Sequence, residues 1–177
     1  MSIWDIGTGS GCIAVSLAKM LPDAEVFATD ISEEALAVAR ENAELNGVEV
    51  TFARHDMADV ENLPFGEKRF DVIVSNPPYI PASDRVTMHK NVVDFEPETA
   101  LFVPEDDKLW CYAALARLGQ RTLNPKGQIF METYHDFHDE LSVLFQQNGF
   151  INVQSIKDLN GRPRFVTSTI NSPDINC

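Results

Sequence analysis

No run of apolar residues in this chain approaches the roughly 18 to 20 that a membrane-spanning helix needs. The opening Met1-Ser2-Ile3-Trp4-Asp5 also lacks the basic segment leading into an apolar one that marks a secretory leader. Both observations argue for a cytoplasmic protein with no membrane partner. Cysteine is scarce: Cys12, Cys111 and Cys177 are odd in number, far apart and outside any CxxC spacing. That fits reduced thiols better than a disulfide framework. Cations are also few, with 14 Lys and Arg against 27 Asp and Glu and a net charge of −13. Nucleic-acid binders take most of their non-specific affinity from Lys and Arg on phosphates, so DNA or RNA is a poor first choice of partner. An acidic surface suits a basic protein partner or simple solvation. A metal cluster is missing too. His135, Asp136, His138 and Asp139 open a helix, where short polar residues are common, and spacing places no further ligand, so no metal is expected.

With 44% hydrophobic residues in 177, the chain is long enough for one buried core and short for two domains. Apolar runs and helical stretches alternate, the pattern of an α/β protein with a mostly parallel sheet. The spacing predicts strands over Ile3 to Ile6, Glu25 to Thr29, Val48 to Ala53, Phe70 to Ser75, Gln128 to Glu132, Phe150 to Ile156 and Arg164 to Ser168. Helices are predicted over Cys12 to Leu21, with Ile13, Leu17, Ala18 and Leu21 inward, and over Glu33 to about Asn46, capped by Ser32 and stopped by Gly47. Two more run from Lys108 to about Leu123 and from Phe137 to Gln147. The stretch from Tyr79 to about Asp107 has no clear period and reads as a lid or binding loop. Residues 171–177 read as a frayed tail, leaving 1–170 as the domain.

Asp5-Ile6-Gly7-Thr8-Gly9-Ser10-Gly11 lies at the first strand-to-helix junction, where glycines admit a ligand close to the backbone and the next helix offers free N–H groups. Its GxGxG spacing is a poor match to the dinucleotide fingerprint GxGxxG. The acidic residue two places before the first glycine suits a ligand carrying an amino group rather than a phosphate. Asp30, ending the second strand, stands where a carboxylate meets ribose hydroxyls, or else caps the helix that follows. Asp56 and Met57 follow the third strand; they suit an adenine amino group and ring, or form an ordinary loop. Cys12 opens a helix with no His nearby in sequence, and packs as a small side chain rather than acting as a nucleophile.

Asn76-Pro77-Pro78-Tyr79 is the most informative tetrapeptide. Each proline fixes its own φ and extends the residue before it, so the turn keeps its shape without ligand. It presents backbone carbonyls, a side-chain amide and an aromatic ring in a fixed array suited to holding a planar NH2 group. A plain strand-ending turn is the alternative.

These pieces resemble the class I S-adenosylmethionine-dependent methyltransferases, whose Rossmann-like fold is a seven-stranded, mostly parallel sheet with helices on both faces. Asp5 to Gly11, Asn76-Pro77-Pro78-Tyr79-Ile80, Phe95-Glu96-Pro97 with Ala100-Leu101, and Asp158-Leu159-Asn160-Gly161 with Arg164 follow one another as in the release-factor glutamine methyltransferases, the PrmC/HemK group. The resemblance implies methyl transfer from S-adenosylmethionine, leaving S-adenosylhomocysteine, to the glutamine amide of the Gly-Gly-Gln loop in a peptide chain release factor, with no metal. It implies Asp5, Gly7, Thr8, Gly9, Ser10, Gly11, Asp30, Asp56, Met57 and Asn76 at the cofactor, and Asn76, Pro77, Pro78 and Tyr79 at the acceptor. Glu96 shapes the acceptor pocket or stiffens its loop. Glu132-Thr133-Tyr134-His135-Asp136 departs from the group's Glu-Ile-Gly pattern, and Lys108 replaces a common Gly. A first strand so close to Met1 reads as a catalytic domain without the group's amino-terminal helical docking domain. Rival expectations are a methyltransferase acting on a base amino group, or a truncated cofactor-binding module inactive in isolation.

Overall fold

The computed structural model describes residues 1–81, 83, 101–104 and 106–171. Ser2–Ile6 forms β1, buried along its whole length, as expected of a strand in the middle of a sheet covered on both faces. Glu25–Asp30 (β2), Thr51–Arg54 (β3) and Phe70–Ser75 (β4) follow. Ile80–Pro81 (β5) and Phe102–Val103 (β6) are short; Leu123–Glu132 (β7), Phe150–Lys157 (β8) and Pro163–Ile170 (β9) are longer. The helices are α1 (Cys12–Met20), α2 (Glu33–Asn46), α3 (Trp110–Thr122) and α4 (His138–Gln147).

Seven strands form one sheet in the order β3-β2-β1-β4-β7-β9-β8. Six of these strands point the same way and β9 alone runs against them. From β1 the chain winds one way through β2 and β3, then returns to the other side of β1 to lay down β4 and β7. Because βαβ crossovers are right-handed, this reversal sends α1 and α2 to one face and α3 and α4 to the other. The core divides accordingly. A small cluster holds Ala14, Ala18, Val26 and Ala28, and a large one gathers Trp4, Ile73, Tyr112, Leu115, Phe145 and Phe150. Between β3 and β4 Phe65 plugs the large cluster, its ring 5.9 Å from Trp4 and 5.0 Å from Phe27.

Local chemistry explains the boundaries. Ser32 accepts from the Ala35 N–H at 3.1 Å and starts α2, as its sequence implies. Gly47 and Val48 end it by donating to Glu44 and Ala43, a Schellman motif. That motif occupies Val48, so β3 begins at Thr51 rather than at Val48. The inward face of α1 is Ala14, Val15 and Ala18, while Leu21 is exposed. Small residues win there because α1 lies close on both β2 and α2. Cys12 is exposed, not packed. The long stretch after Tyr79 is not wholly irregular, since β5 and β6 pair in parallel. Residues 82, 84–100 and 105 of that stretch, which include Phe95, Glu96, Pro97 and Ala100, lie outside the described residues, as does the tail beyond Asn171. Among the described residues no helix is long and apolar enough to cross a membrane.

Candidate active site

Four parallel strands end level with one another. Ile6 is in register with Thr29 on one side and Ser75 on the other, and Ser75 with Met131. The next residue on each strand is therefore Asp30, Gly7, Asn76 and Glu132, a row across the carboxyl edge of the sheet. Strand spacing of about 4.8 Å brings these residues within reach of one small molecule. The winding reverses between β1 and β4, and such a switch point is the usual place for ligands in open α/β sheets.

On the α1 side, Asp5 is fully buried. Its Oδ2 accepts from the Thr8 hydroxyl at 2.6 Å and from the Ala14 N–H at 3.1 Å. Its Oδ1 is buried with no hydrogen-bond partner. Desolvation outweighs those two bonds and pushes the carboxyl up to about 6, with Asp30 adding a small repulsion. A raised carboxyl binds its proton more tightly in the folded than in the unfolded chain. Its contribution to stability is therefore full below about pH 4 and lost as pH rises through about 6. A cation set against Oδ1 would restore it. The glycine loop is pinned by Gly7 and Thr8 N–H groups donating to Thr29 O at 2.8 and 2.9 Å. A Cβ on Gly9 would meet nothing within 4 Å, which leaves open space above the loop.

Asp30 serves the loop and the helix together: Oδ2 accepts from Gly9 N–H at 2.8 Å and Oδ1 from Ser32 N–H at 2.9 Å. The cap of α2 is Ser32 itself, so Asp30 braces the residue that caps the helix rather than capping it, and its carboxylate lies beside Gly9 at the carboxyl edge of the sheet. Asp56 is exposed and accepts from Ala58 N–H at 2.9 Å, a loop turn. Met57 is half-buried and reaches back to the loop, its Cε 3.6 Å from where a Gly7 Cβ would stand. Ser10 is exposed, and its carbonyl accepts from Asn42 of α2 at 2.9 Å.

On the β4 side, Ser75 donates its hydroxyl to Ile6 O at 2.7 Å and locks the two strand ends together. Beyond it Asn76 is exposed, Pro77 is buried, and Pro78 and Tyr79 are half-buried. The Tyr79 hydroxyl donates to Glu132 Oε1 at 2.7 Å. Arg164 Nη1 lies 3.4 Å from the same oxygen and 3.5 Å from the Tyr79 hydroxyl. Burial, followed by the Glu132 carboxylate, pushes the Tyr79 phenol up to about 12, so it stays protonated as a donor. Sequence reasoning saw Glu132 as the end of a strand and as part of a departure from pattern, not as a site residue. Its position at the end of an apolar strand, like Asn76 after β4, was the signal available. Just past the Glu132 end of this row, His138 turns in from the start of α4, its Nε2 3.0 Å from Thr133 Oγ1, and desolvation lowers its pKa.

A family model described as methyltransferase domain matches residues 1–161, and the chain belongs to that family. It is 45% identical over 164 residues to a release factor glutamine methyltransferase of Bacteroides thetaiotaomicron, covering 93% of this chain and 58% of that protein. It is 43% identical to the protein of the same name in Flavobacterium psychrophilum, covering 94% and 57%. The chain thus spans a little over half the length of these curated relatives. Among solved structures, a methyltransferase from Pyrococcus furiosus superimposes with a TM-score of 0.66 at 20% identity, over 97% of this chain and 75% of that one. The seven-stranded arrangement is therefore the Rossmann-like methyltransferase fold.

Proposed function

We propose that this domain transfers a methyl group from S-adenosylmethionine to the side-chain amide nitrogen of a glutamine in the Gly-Gly-Gln loop of a peptide chain release factor, in the cytoplasm. One observation carries the reading above all: the Ile6–Ser75 register sets a glycine loop and an Asn-Pro-Pro-Tyr turn side by side at the winding reversal. The names of the curated relatives supply the substrate.

The residues present fit the cofactor. Asp5, through its partnerless Oδ1, matches the ammonium of the methionine part. Gly7, Thr8, Gly9, Ser10 and Gly11 form the open cradle, and Asp30 stands at the ribose hydroxyls. Asp56 and Met57 flank the adenine. When bound, S-adenosylmethionine supplies a methyl carbon made electrophilic by its sulfonium, and the C–S bonding pair leaves with sulfur as the N–C bond forms.

The chain's own residues address the weakness of the nucleophile. An amide lone pair is delocalised into the carbonyl, so an unrestrained glutamine presents no directed pair. Asn76 Oδ1 and the Pro77 carbonyl accept the two amide hydrogens, which turns the nitrogen towards the methyl and stabilises the positive charge that develops on it. Tyr79 packs on the flat amide and, protonated, is not a base. The nitrogen becomes acidic only as it is methylated, so the proton leaves to water without a strong general base.

Methyl transfer from labelled cofactor to a purified release factor tests the reading, with a Gln-to-Ala Gly-Gly-Gln variant, DNA and RNA as controls. Label confined to the glutamine-containing factor supports it. Label on nucleic acid, or on the factor lacking that glutamine, refutes it.

A pH dependence follows from Asp5. The cofactor ammonium requires the carboxylate, so affinity rises with pH through about 6 and then levels. Below that midpoint it falls by up to about tenfold per pH unit. Titration calorimetry at pH 5 and pH 7.5 in buffers of different ionisation heat reads both the affinity and the protons released. Asp5→Asn flattens the profile.

A further inference from the structure

We propose that Glu132 is a positioning residue, which acts on the acceptor turn through the Tyr79 hydroxyl and is itself held by Arg164 and Asp158. The proposal rests on Asn76–Tyr79 being the acceptor turn. Glu132 follows Met131, which is in register with Ser75, so β7 delivers its carboxylate level with Asn76. The turn is then fixed at both ends. Ser75 anchors the near end to Ile6 O at 2.7 Å, and the 2.7 Å bond from Tyr79 to Glu132 anchors the far end, one residue before β5.

A tyrosine ring tethered only by its backbone can swing about two side-chain torsions. A second tether at the hydroxyl removes that freedom and leaves a ring face for the planar amide. A donated bond to a carboxylate also makes the ring more electron-rich, which favours the positive charge that develops on the acceptor nitrogen.

The support behind Glu132 comes from a separate loop. Arg164 on β9 sits 3.4 Å from Glu132 Oε1, and its Nε is 3.9 Å from Asp158 Oδ2. Asp158 is itself oriented, its Oδ1 accepting from the N–H groups of Asn160 and Arg162 at 2.8 and 2.9 Å. The Arg164 side chain is 40% exposed and the Glu132 side chain 25%. Ion pairs so exposed add little to stability, whereas a chain of four groups ending on the turn directs where one ring sits. This gives the Asp158 to Gly161 loop, together with Arg164, a task in the acceptor site.

The test is a double-mutant cycle on the full chain, with Glu132→Ala, Tyr79→Phe and both together, read as kcat at saturating cofactor. Each single change should lower kcat about tenfold with the cofactor KM unchanged. The double should be no slower than Tyr79→Phe alone, because both remove one link. Glu132→Gln, which keeps an acceptor oxygen, should recover most of the loss. Independently of activity, the Tyr79 Cζ resonance at neutral pH, assigned by its disappearance in Tyr79→Phe, should move in Glu132→Ala. Multiplicative losses in the double mutant overturn the proposal. A Cζ resonance that Glu132→Ala leaves in place overturns the tether alone. A wild-type chain that binds the cofactor yet methylates nothing overturns the acceptor reading, whatever the resonance does.

Discussion

Asn76→Ala is expected to slow methyl transfer by about 10² to 10³ while leaving stability within about 0.5 kcal/mol of the parent. The two halves of this expectation have different origins. Asn76 is exposed at the end of β4, so its truncation opens no cavity and strands no buried group. The turn keeps its shape because Pro77 and Pro78 set the backbone and Ser75 holds the strand end. What is lost is one acceptor for the substrate amide, and with it half of the restraint on the nitrogen lone pair. Cofactor affinity should change far less than kcat, since the contact strengthens as charge develops. Thermal unfolding, cofactor titration and single-turnover methylation separate the three quantities. Near-normal turnover would remove Asn76 from the mechanism.

The turn proposed to hold the acceptor was legible because its residues are adjacent in sequence: Asn76 to Tyr79 is one tetrapeptide, and prolines declare their conformation. The edge proposed to hold the cofactor was legible in part. Asp5 and the glycines share one loop, and Asp30 is marked by its place at a strand end. The expectation of a mostly parallel seven-stranded sheet followed from the alternation of apolar runs with helical stretches, and the strand order agrees with it.

Other features depend on pairing register, which no short window records. Glu132 lies 53 residues from Tyr79, and only the β4–β7 ladder shows that the two meet. Asp30 was read as a ribose ligand or a helix cap; its two oxygens instead accept the Gly9 and Ser32 N–H groups, tying the glycine loop to the residue that caps α2. The inward face of α1 was misjudged in part: Ala18 is buried and Leu17 packs on the small cluster as expected, but Leu21 is exposed and Ala14 and Val15 face inward instead, where α1 lies close to α2. Glu96 lies outside the described residues and keeps both of its readings.

That close approach makes Gly11→Ala the second large effect, and Gly9→Ala its counterpart. Gly11 caps α1 with φ at 81°, where an L side chain costs about 1 to 2 kcal/mol. Its added Cβ would stand 2.9 Å from Ala39 Cβ and 3.2 Å from Ala39 Cα. Ala39 is fully buried in α2, so neither atom yields without separating the helices, a further 1 to 3 kcal/mol or so. A loss of about 2 to 5 kcal/mol is expected in denaturant unfolding, together with weaker cofactor binding because the loop moves with α1. Gly9 has φ at 56° but open space around its would-be Cβ. Gly9→Ala should therefore cost only the backbone strain, about 1 to 2 kcal/mol, while its methyl enters the cradle and obstructs the ligand. Measured side by side, the first variant should fail chiefly in stability and the second chiefly in cofactor affinity. Equal losses of affinity per unit of stability in both would mean that the loop is only a strand-to-helix connector, and the cofactor would have to bind elsewhere along the carboxyl edge.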